Sequence, residues 1–295
     1  MAITAGMVKE LRERTGVGMM ECKGALTETG GDMEKAVDLL RAKGMAKADK
    51  KAGRTAAEGT IAIVMSSDKK RAAIVEANCE TDFVGKSDEF NEFANAAAQA
   101  ALDSNATDID SLLAAKMADG KTVDERRREL IAKIGENMSI RRFEIIETTG
   151  AIGTYRHGDK IGVVVNLDGG DETFGKDLAM HVAASRPLAI DASGVEAETI
   201  ERERAIAQTK ADESGKPANI VEKMVEGAIR KFMEEVTLLS QPFVKDPDTT
   251  VGNLLKKNNV TVKHFVRLEV GEGIVKETVD FAAEVAATAA AMQGK

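Results

Sequence analysis

Residues 59–78, GTIAIVMSSDKKRAAIVEAN, contain two runs rich in β-branched residues on either side of the polar segment SSDKK. Two such runs around a polar turn predict a β-hairpin. A helix is predicted next, because Ser87 can cap its first turn and two acidic residues follow it. The buried stripe of that helix is predicted to consist of Phe90, Phe93, Ala94 and Ala97. This stretch therefore predicts a hairpin followed by a helix.

The same order recurs later in the chain. Residues 151–170, AIGTYRHGDKIGVVVNLDGG, place the turn HGDK before an apolar strand, and residues 171–185 have the spacing of a helix. The segment DKKRAAIVEAN also parallels GDKIGVVVNLD. Two hairpin-and-helix units predict a duplicated α+β core whose halves pack side by side.

The first 55 residues predict a small bundle of three helices, separated by TGVG at 15–18 and by GGD at 30–32. The order Gly-Met-Met-x-x-Cys-x-x-Ala-Leu, then Gly-Gly-Asp-x-Glu-x-Ala-Val-x-x-Leu, resembles a ubiquitin-associated (UBA-like) domain. Residues 44–54, GMAKADKKAGR, hold four basic residues and one acidic residue. Such a run could bind phosphate or nucleic acid, but a solvated linker helix is favoured, because charge runs are usually exposed faces.

We therefore expect an α+β fold in five parts. A helical hairpin is predicted around SGKP at 214–217, and an alanine-rich helix with a thin apolar stripe of Phe281, Val285 and Met292 is predicted at the C-terminus. The hairpin needs a surface to rest on, either the core, a second copy or a partner. The expected parts are a UBA-like domain with linker (1–55), the N-terminal half of the core (56–140), its C-terminal half (141–190 and 236–270), the inserted hairpin (191–235) and the C-terminal helix (271–295).

Composition limits the classes of function. The chain has 295 residues, is 43% hydrophobic and 31% charged, and carries a net charge of -8. These values fit a globular protein and argue against direct nucleic-acid binding by the whole surface. No apolar run approaches the roughly 20 residues of a membrane span. Two cysteines without C-x-x-C spacing fit a reducing cytoplasm and predict neither a disulfide framework nor a zinc site.

No common catalytic motif occurs in the sequence. Phosphate-binding loops, the dinucleotide fingerprint, the nucleophile elbow and the H-E-x-x-H zinc motif are all missing. Acidic pairs such as Glu80 and Asp82 leave a metal-dependent hydrolase as a weak alternative, since such a pair would need burial to separate its pKa values. We therefore expect a binding protein with no catalytic residue, no cofactor and no metal of its own.

Residues 79–90, CETDFVGKSDEF, place a phenylalanine after an aspartate between a predicted strand and a predicted helix. The residues alone allow two interpretations. In one, Phe83 packs beneath the hairpin and Asp82 caps a turn. In the other, Phe83 is exposed and contacts a partner.

Nine segments of the chain resemble, in order, the elongation factor Ts family. They are KELRERTGVGMMECKGAL, CETDFV, KIGENMSIRR, YRHG, AMHVAAS, SGKP, EKMVEG, QPFV and DFAAEVAA. Members of this family are guanine-nucleotide exchange factors for elongation factor Tu, the GTPase that brings aminoacyl-tRNA to the ribosome. The resemblance implies a UBA-like N-terminal domain, a two-lobed core, a hairpin that dimerises some members and a C-terminal helix that reaches the partner. The charged turn SSDKKR is a departure from the family pattern, away from the TDFV motif.

The resemblance also implies a site. TDFV is the family segment associated with disturbing the Mg²⁺ site of elongation factor Tu. The resemblance implies that the chain binds this partner in its GDP-bound and nucleotide-free forms. It corresponds here to Thr81, Asp82, Phe83 and Val84, with Phe83 as an apolar wedge and Asp82 directed either at partner backbone or at the metal region. Further contacts are implied for Met19, Met20, Lys23, Lys51, Ile134, Gly135, Asn137 and His157. A UBA-type adaptor that binds other chains through residues 15–41 is the alternative function.

Overall fold

The computed structural model describes residues 2–275. At the N-terminus, three helices pack around Leu11, Cys22 and Leu26. They are α1 (Ala5–Thr15), α2 (Met19–Glu28) and α3 (Met33–Lys51). Residues 44–51 of the basic segment predicted as a linker helix form the end of α3.

A first sheet follows, with antiparallel order β1-β2-β3, and β1 and β2 form the predicted hairpin. Its strands are β1 (Glu58–Met65), β2 (Arg71–Cys79) and β3 (Met138–Glu147). Between β2 and β3 lie the helices α4 (Asp82–Gly85), α5 (Asp88–Ser104), α6 (Ile109–Ala114) and α7 (Val123–Ile134). The expected boundary after residue 140 falls inside β3, whose pairing with β2 extends the first sheet to Glu147.

The N-terminal helices rest on this first lobe through α3 and α7. Gly44 allows the close approach, since a Cβ there would lie 2.9 Å from the Cβ of Ala132. Asp49 and Arg128 form an ion pair across the same contact at 2.8 Å. One face of the basic segment is therefore packed against α7, while Lys47 and Lys50 are exposed.

A second sheet repeats the plan of the first, with antiparallel order β4-β5-β8. The lobe begins with β4 (Ala151–His157), β5 (Ile161–Asp168) and α8 (Glu172–Ser185). Two helices, α9 (Ala197–Asp212) and α10 (Ala218–Val236), then form a hairpin around Ala207, Ala211, Val221 and Val225. The chain returns through β6 (Pro242–Phe243), β7 (Asp246–Thr250), α11 (Val251–Asn258) and β8 (Thr261–Glu269).

The two lobes pack sheet against sheet. One core lies between α5 and the first sheet, a second between α8 and the second sheet, and a third between the sheets themselves. Gly162 on β5 allows the sheets to meet, because a Cβ there would lie 2.4 Å from Cγ2 of Ile61. The core therefore has four layers in the order helix, sheet, sheet, helix, a mixed fold of helices and antiparallel sheets.

The predicted C-terminal helix lies outside the described residues from position 276 onward. Before that point the chain makes a turn at 271–273. Within residues 2–275, none of the helices combines the length and the apolarity that crossing a bilayer requires.

Candidate partner-binding site

The TDFV segment forms the short helix α4, and its phenylalanine points outward. Thr81 precedes the helix in an extended conformation, and its Oγ1 accepts a hydrogen bond from the Val84 N–H at 3.4 Å. Val84 and Gly85 face the interior and are buried. Phe83, which lies directly before these buried residues, is 84% exposed. The interpretation in which this ring packs beneath the hairpin is therefore wrong.

The N-terminal end of α4 is held by the segment that follows α7. The carboxylate of Glu136 accepts hydrogen bonds from the Thr81 N–H at 3.0 Å and the Thr81 hydroxyl at 2.7 Å. In return, the carboxylate of Glu80 accepts the Asn137 N–H at 2.6 Å. These reciprocal bonds join two segments that lie 55 residues apart in the sequence.

Beneath the helix, Cys79 donates from its thiol to the Thr81 carbonyl at 3.2 Å. Burial, together with the nearby Glu136 carboxylate, raises the pKa of Cys79 to about 12. The side chain is therefore a neutral thiol at physiological pH, because the thiolate is disfavoured inside the protein. It acts in packing and as a weak hydrogen-bond donor.

Asp82 lies on the exposed side of α4 and pairs with Lys86 at 2.6 Å. The hydrogen bond from Lys86 lowers the pKa of Asp82. Thr81, and not Asp82, caps the turn, which corrects the alternative assignment. The site therefore presents an aromatic ring beside a carboxylate that is charged at neutral pH.

The remaining implied contact residues fall into two groups. Met19 and Met20 are both exposed at the start of α2, with Lys23 exposed one turn further on, because Cys22, Ala25 and Leu26 supply the core of that helix. His157 is exposed at the turn between β4 and β5. These four side chains are free to meet another molecule.

The second group lies directly behind α4. Lys51 donates to the Gly135 carbonyl, and Ile134 is half-buried in the core of the first lobe. Asn137 is 6% exposed, and its amide donates to the carbonyls of Ala52 at 3.3 Å and Arg54 at 2.7 Å. Contacts of Lys51, Gly135 and Asn137 therefore join the end of α3 to the segment before α4, which places them next to TDFV.

Sequence reasoning missed Glu80 and Glu136, whose carboxylates hold both sides of this junction. Both residues lie inside quoted segments, CETDFV and KIGENMSIRR, but their pairing across 55 residues was not visible in the sequence. Within residues 2–275, no three His, Cys, Asp or Glu side chains are grouped so that they could hold a metal ion.

Comparison with known proteins gives a consistent result. The family model described as Elongation factor TS matches residues 80–272. The chain is 60% identical over 294 residues to Elongation factor Ts of Hydrogenovibrio crunogenus, covering 100% of both chains. It is 62% identical over 288 residues to the protein of the same name from Methylococcus capsulatus, covering 97% of this chain and 98% of that one. The chain therefore belongs to the elongation factor Ts family.

Proposed function

We propose that this chain promotes the release of GDP from elongation factor Tu by inserting Phe83 into a pocket that the GTPase offers only when its grip on nucleotide is weakened. Family membership makes the chain a translation elongation factor that acts in nucleotide exchange. The observation that carries the mechanism is the 84% exposure of Phe83 on a helix whose next two residues, Val84 and Gly85, are buried. A large apolar ring held outward in this way suits insertion into a partner, because aromatic residues are enriched at the cores of protein interfaces.

The physical argument concerns linked equilibria. A GTPase holds GDP through backbone N–H groups, a lysine and Mg²⁺, and a partner weakens that hold by stabilising a conformation in which the contacts are broken. The coupling is reciprocal, so GDP weakens the partner by the same factor. Each tenfold change requires about 1.4 kcal/mol. Burial of one phenylalanine contributes roughly 1.5–3 kcal/mol, enough for one to two decades.

Asp82 has two proposed roles, and its geometry supports both. Its carboxylate lies beside the exposed ring and is already bonded to Lys86. It can accept hydrogen bonds from partner backbone, or it can disturb the charge balance near the partner's Mg²⁺. Met19, Met20, Lys23 and His157 are proposed as further direct contacts. Lys51, Ile134, Gly135 and Asn137 are proposed to act by shaping the base of α4, alongside Thr81 and Val84.

Stopped-flow measurement of labelled GDP leaving elongation factor Tu tests the proposal. Phe83→Ala should lower the maximal release rate about tenfold or more, because the side-chain burial is lost. Stability should change little, since the ring makes little contact with its own chain. Leu188→Ala is the matched control, because Leu188 is also a large apolar side chain, 59% exposed, on the second lobe. Release by Phe83→Ala at the wild-type maximal rate would show that the ring is not the wedge.

We propose that residues 1–55 form a UBA-like domain, that the four-layer core is a duplicated unit, and that the protein acts in the cytoplasm. We propose that the α9–α10 hairpin binds a second copy of the chain, since Ile206 and Ile220 each leave about two fifths of their surface exposed. Sedimentation equilibrium should then detect a dimer that Ile206→Glu weakens, whereas an unchanged molecular mass would contradict it.

A further inference from the structure

The end of α4 that follows Phe83 is held by a side chain outside the TDFV motif. A helix of four residues leaves its last carbonyl groups without partners of its own. The side-chain amide of Asn91, on α5, donates to the Gly85 carbonyl at 3.1 Å and to the Ser87 carbonyl at 3.0 Å. The bond to Ser87 is ordinary within a helix, but the bond to Gly85 reaches back to a different helix. Asn91 therefore anchors α4 from behind.

Asn91 is itself oriented from the other side. Its Oδ1 accepts a hydrogen bond from the hydroxyl of Thr60 at 2.9 Å, and Thr60 is buried in β1. Arg156, from the second lobe, donates toward the same hydroxyl oxygen over a long 3.5 Å. Arginine side chains only donate and backbone carbonyls only accept. The direction of donation in this series of hydrogen bonds is therefore fixed, from Thr60 through Asn91 to Gly85.

Close packing leaves Gly85 little freedom to find another partner. A Cβ at position 85 would lie 3.1 Å from the carbonyl oxygen of Gly59, so the backbone of α4 sits directly on β1. Helices this short have no stability of their own in water. The orientation of α4 therefore depends on contacts from outside it, among them Thr81 with Glu136, Val84 with Ser87 and Gly85 with Asn91.

We propose that Asn91 is a positioning residue for nucleotide exchange, which joins buried Thr60 to the Gly85 carbonyl and thereby holds α4 at the angle that presents Phe83. This inference rests on the proposed role of Phe83. When the anchor is removed, α4 samples several orientations, and the ring is presented correctly for a smaller fraction of the time. The other proposed contacts still form the complex, so the half-maximal concentration changes little. The maximal release rate depends on the correctly presented ring and falls in proportion to that fraction.

The first test measures the free protein. In the full chain, Asn91→Ala should speed hydrogen exchange of the amides at 83–86 about tenfold, because the helix opens locally. Asn95→Ala is the matched control, since Asn95 lies one turn further along α5, is exposed, and donates only to the Asn91 carbonyl. Unchanged exchange at 83–86 in Asn91→Ala would overturn the anchoring role.

The second test measures GDP release from elongation factor Tu in a double-mutant cycle. Asn91→Ala should lower the maximal rate about fivefold to tenfold, the loss expected for one buried hydrogen bond, with little change in the half-maximal concentration. In a Phe83→Ala background it should lower the rate no further, because it acts through Phe83. An equal further loss in that background, or a normal rate for Asn91→Ala alone, would overturn the inference.

Two comparisons keep the outcomes separate. If Phe83→Ala itself releases GDP normally, the proposed function fails, whereas the hydrogen-exchange result still decides whether Asn91 anchors α4. If Asn91→Ala does not fold, Thr60→Val removes the hydroxyl at nearly constant volume and should lower the release rate about twofold to threefold. A wild-type rate for Thr60→Val with faster exchange at 83–86 would also contradict the positioning role.

Discussion

The two lobes of the core share one order of elements but differ in the connection between central strand and helix. In both, the central strand shifts register against the third strand, between Glu76 and Ala77 in β2 and between Asn166 and Leu167 in β5. In both, a polar side chain then caps a helix. Ser87 lies eleven positions after Glu76, but Asp171 lies only five after Asn166. The first lobe therefore carries six additional residues at an equivalent place.

Those additional residues form α4 and present Phe83. The second lobe turns instead through Gly169 and Gly170, at φ +86° and +75°, in the left-handed region that favours glycine. A Cβ at position 169 would lie 2.9 Å from the Asn259 carbonyl, so this turn has no room for a side chain. The comparison teaches that two lobes of similar plan can differ in a single connection, and that only the first lobe has room there for the proposed wedge.

The lobes also differ at the register shift itself. In the first, the carboxylate of fully buried Glu76 accepts hydrogen bonds from the Gly271 N–H at 2.8 Å and from Arg142 at 2.5 Å. In the second, the side-chain Oδ1 of Asn166 is buried without a hydrogen-bond partner. The first lobe therefore places a charged group where the second places a neutral, partly satisfied one.

The largest expected effect tests this difference. Glu76→Gln should lower the free energy of unfolding by about 2–3 kcal/mol. This is less than the loss on breaking a fully buried ion pair, because the side chains of Arg141 and Arg142 are about one third exposed. Asn166→Ser, the equivalent change in the second lobe, should lower it by less than about 1 kcal/mol, since one unsatisfied atom is removed. Urea denaturation measures both. Equal losses would show that the two positions are not used differently.

Lowering the pH should reduce the stability difference between wild type and Glu76→Gln. Burial alone would raise the pKa of Glu76, but hydrogen bonds from Gly271, Arg142 and Asn78 outweigh it and lower the pKa. A carboxyl with a lowered pKa in the folded state stabilises above its unfolded pKa, and this stabilisation is lost as pH falls through the folded value. Glutamine resembles the protonated acid. The stability difference between wild type and Glu76→Gln should therefore shrink below about pH 4.5.

A smaller effect, on the rate of GDP release, should distinguish the helix caps Ser87 and Asp171. Ser87 accepts from the Phe90 N–H at 3.4 Å, and Asp171 accepts from the Phe174 N–H at 2.8 Å. Replacing either by alanine should lower the free energy of unfolding by about 1 kcal/mol. Only Ser87→Ala should also slow GDP release by a few fold, because the Ser87 hydroxyl donates to the Val84 carbonyl at 2.8 Å. Thermal unfolding measures the stability of both variants, and stopped-flow kinetics measure their GDP release. Slower release with Asp171→Ala would contradict a role for the first lobe's connection alone.

The smallest effect concerns the contact between the lobes. His264 on β8 pairs with Glu144 on β3 at 2.5 Å, and both side chains are partly exposed. The hydrogen bond to Glu144 raises the pKa of His264. A raised pKa stabilises below the unfolded value, and this stabilisation is lost as pH rises through the folded value.

Wild type should therefore lose stability relative to His264→Gln above about pH 6.5, by less than about 1 kcal/mol because the pair is solvated. Chemical denaturation across neutral pH measures the difference, with an NMR titration of His264 as a check on its pKa. A pKa below that of an unfolded histidine would contradict the prediction.

The sequence determined the elements and their local signals. The hairpin at 59–78, the cap at Ser87, the return to helical spacing and the glycine turns all depend on residues within a few positions of one another, so propensity and periodicity predict them. The TDFV motif and its family resemblance were visible for the same reason, as an unbroken string of letters.

Tertiary structure decided which way the motif faces. The residues of TDFV are equally compatible with a buried and an exposed ring, and the choice depends on contacts with Gly59, Glu136 and Asn91. Two of those three partners are more than twenty residues away along the chain. Pairings over such distances are selected by the packing of the whole core, because local preferences leave many of them equal in free energy. The same packing, and no local signal, assigned β3 to the first sheet and brought the two lobes face to face.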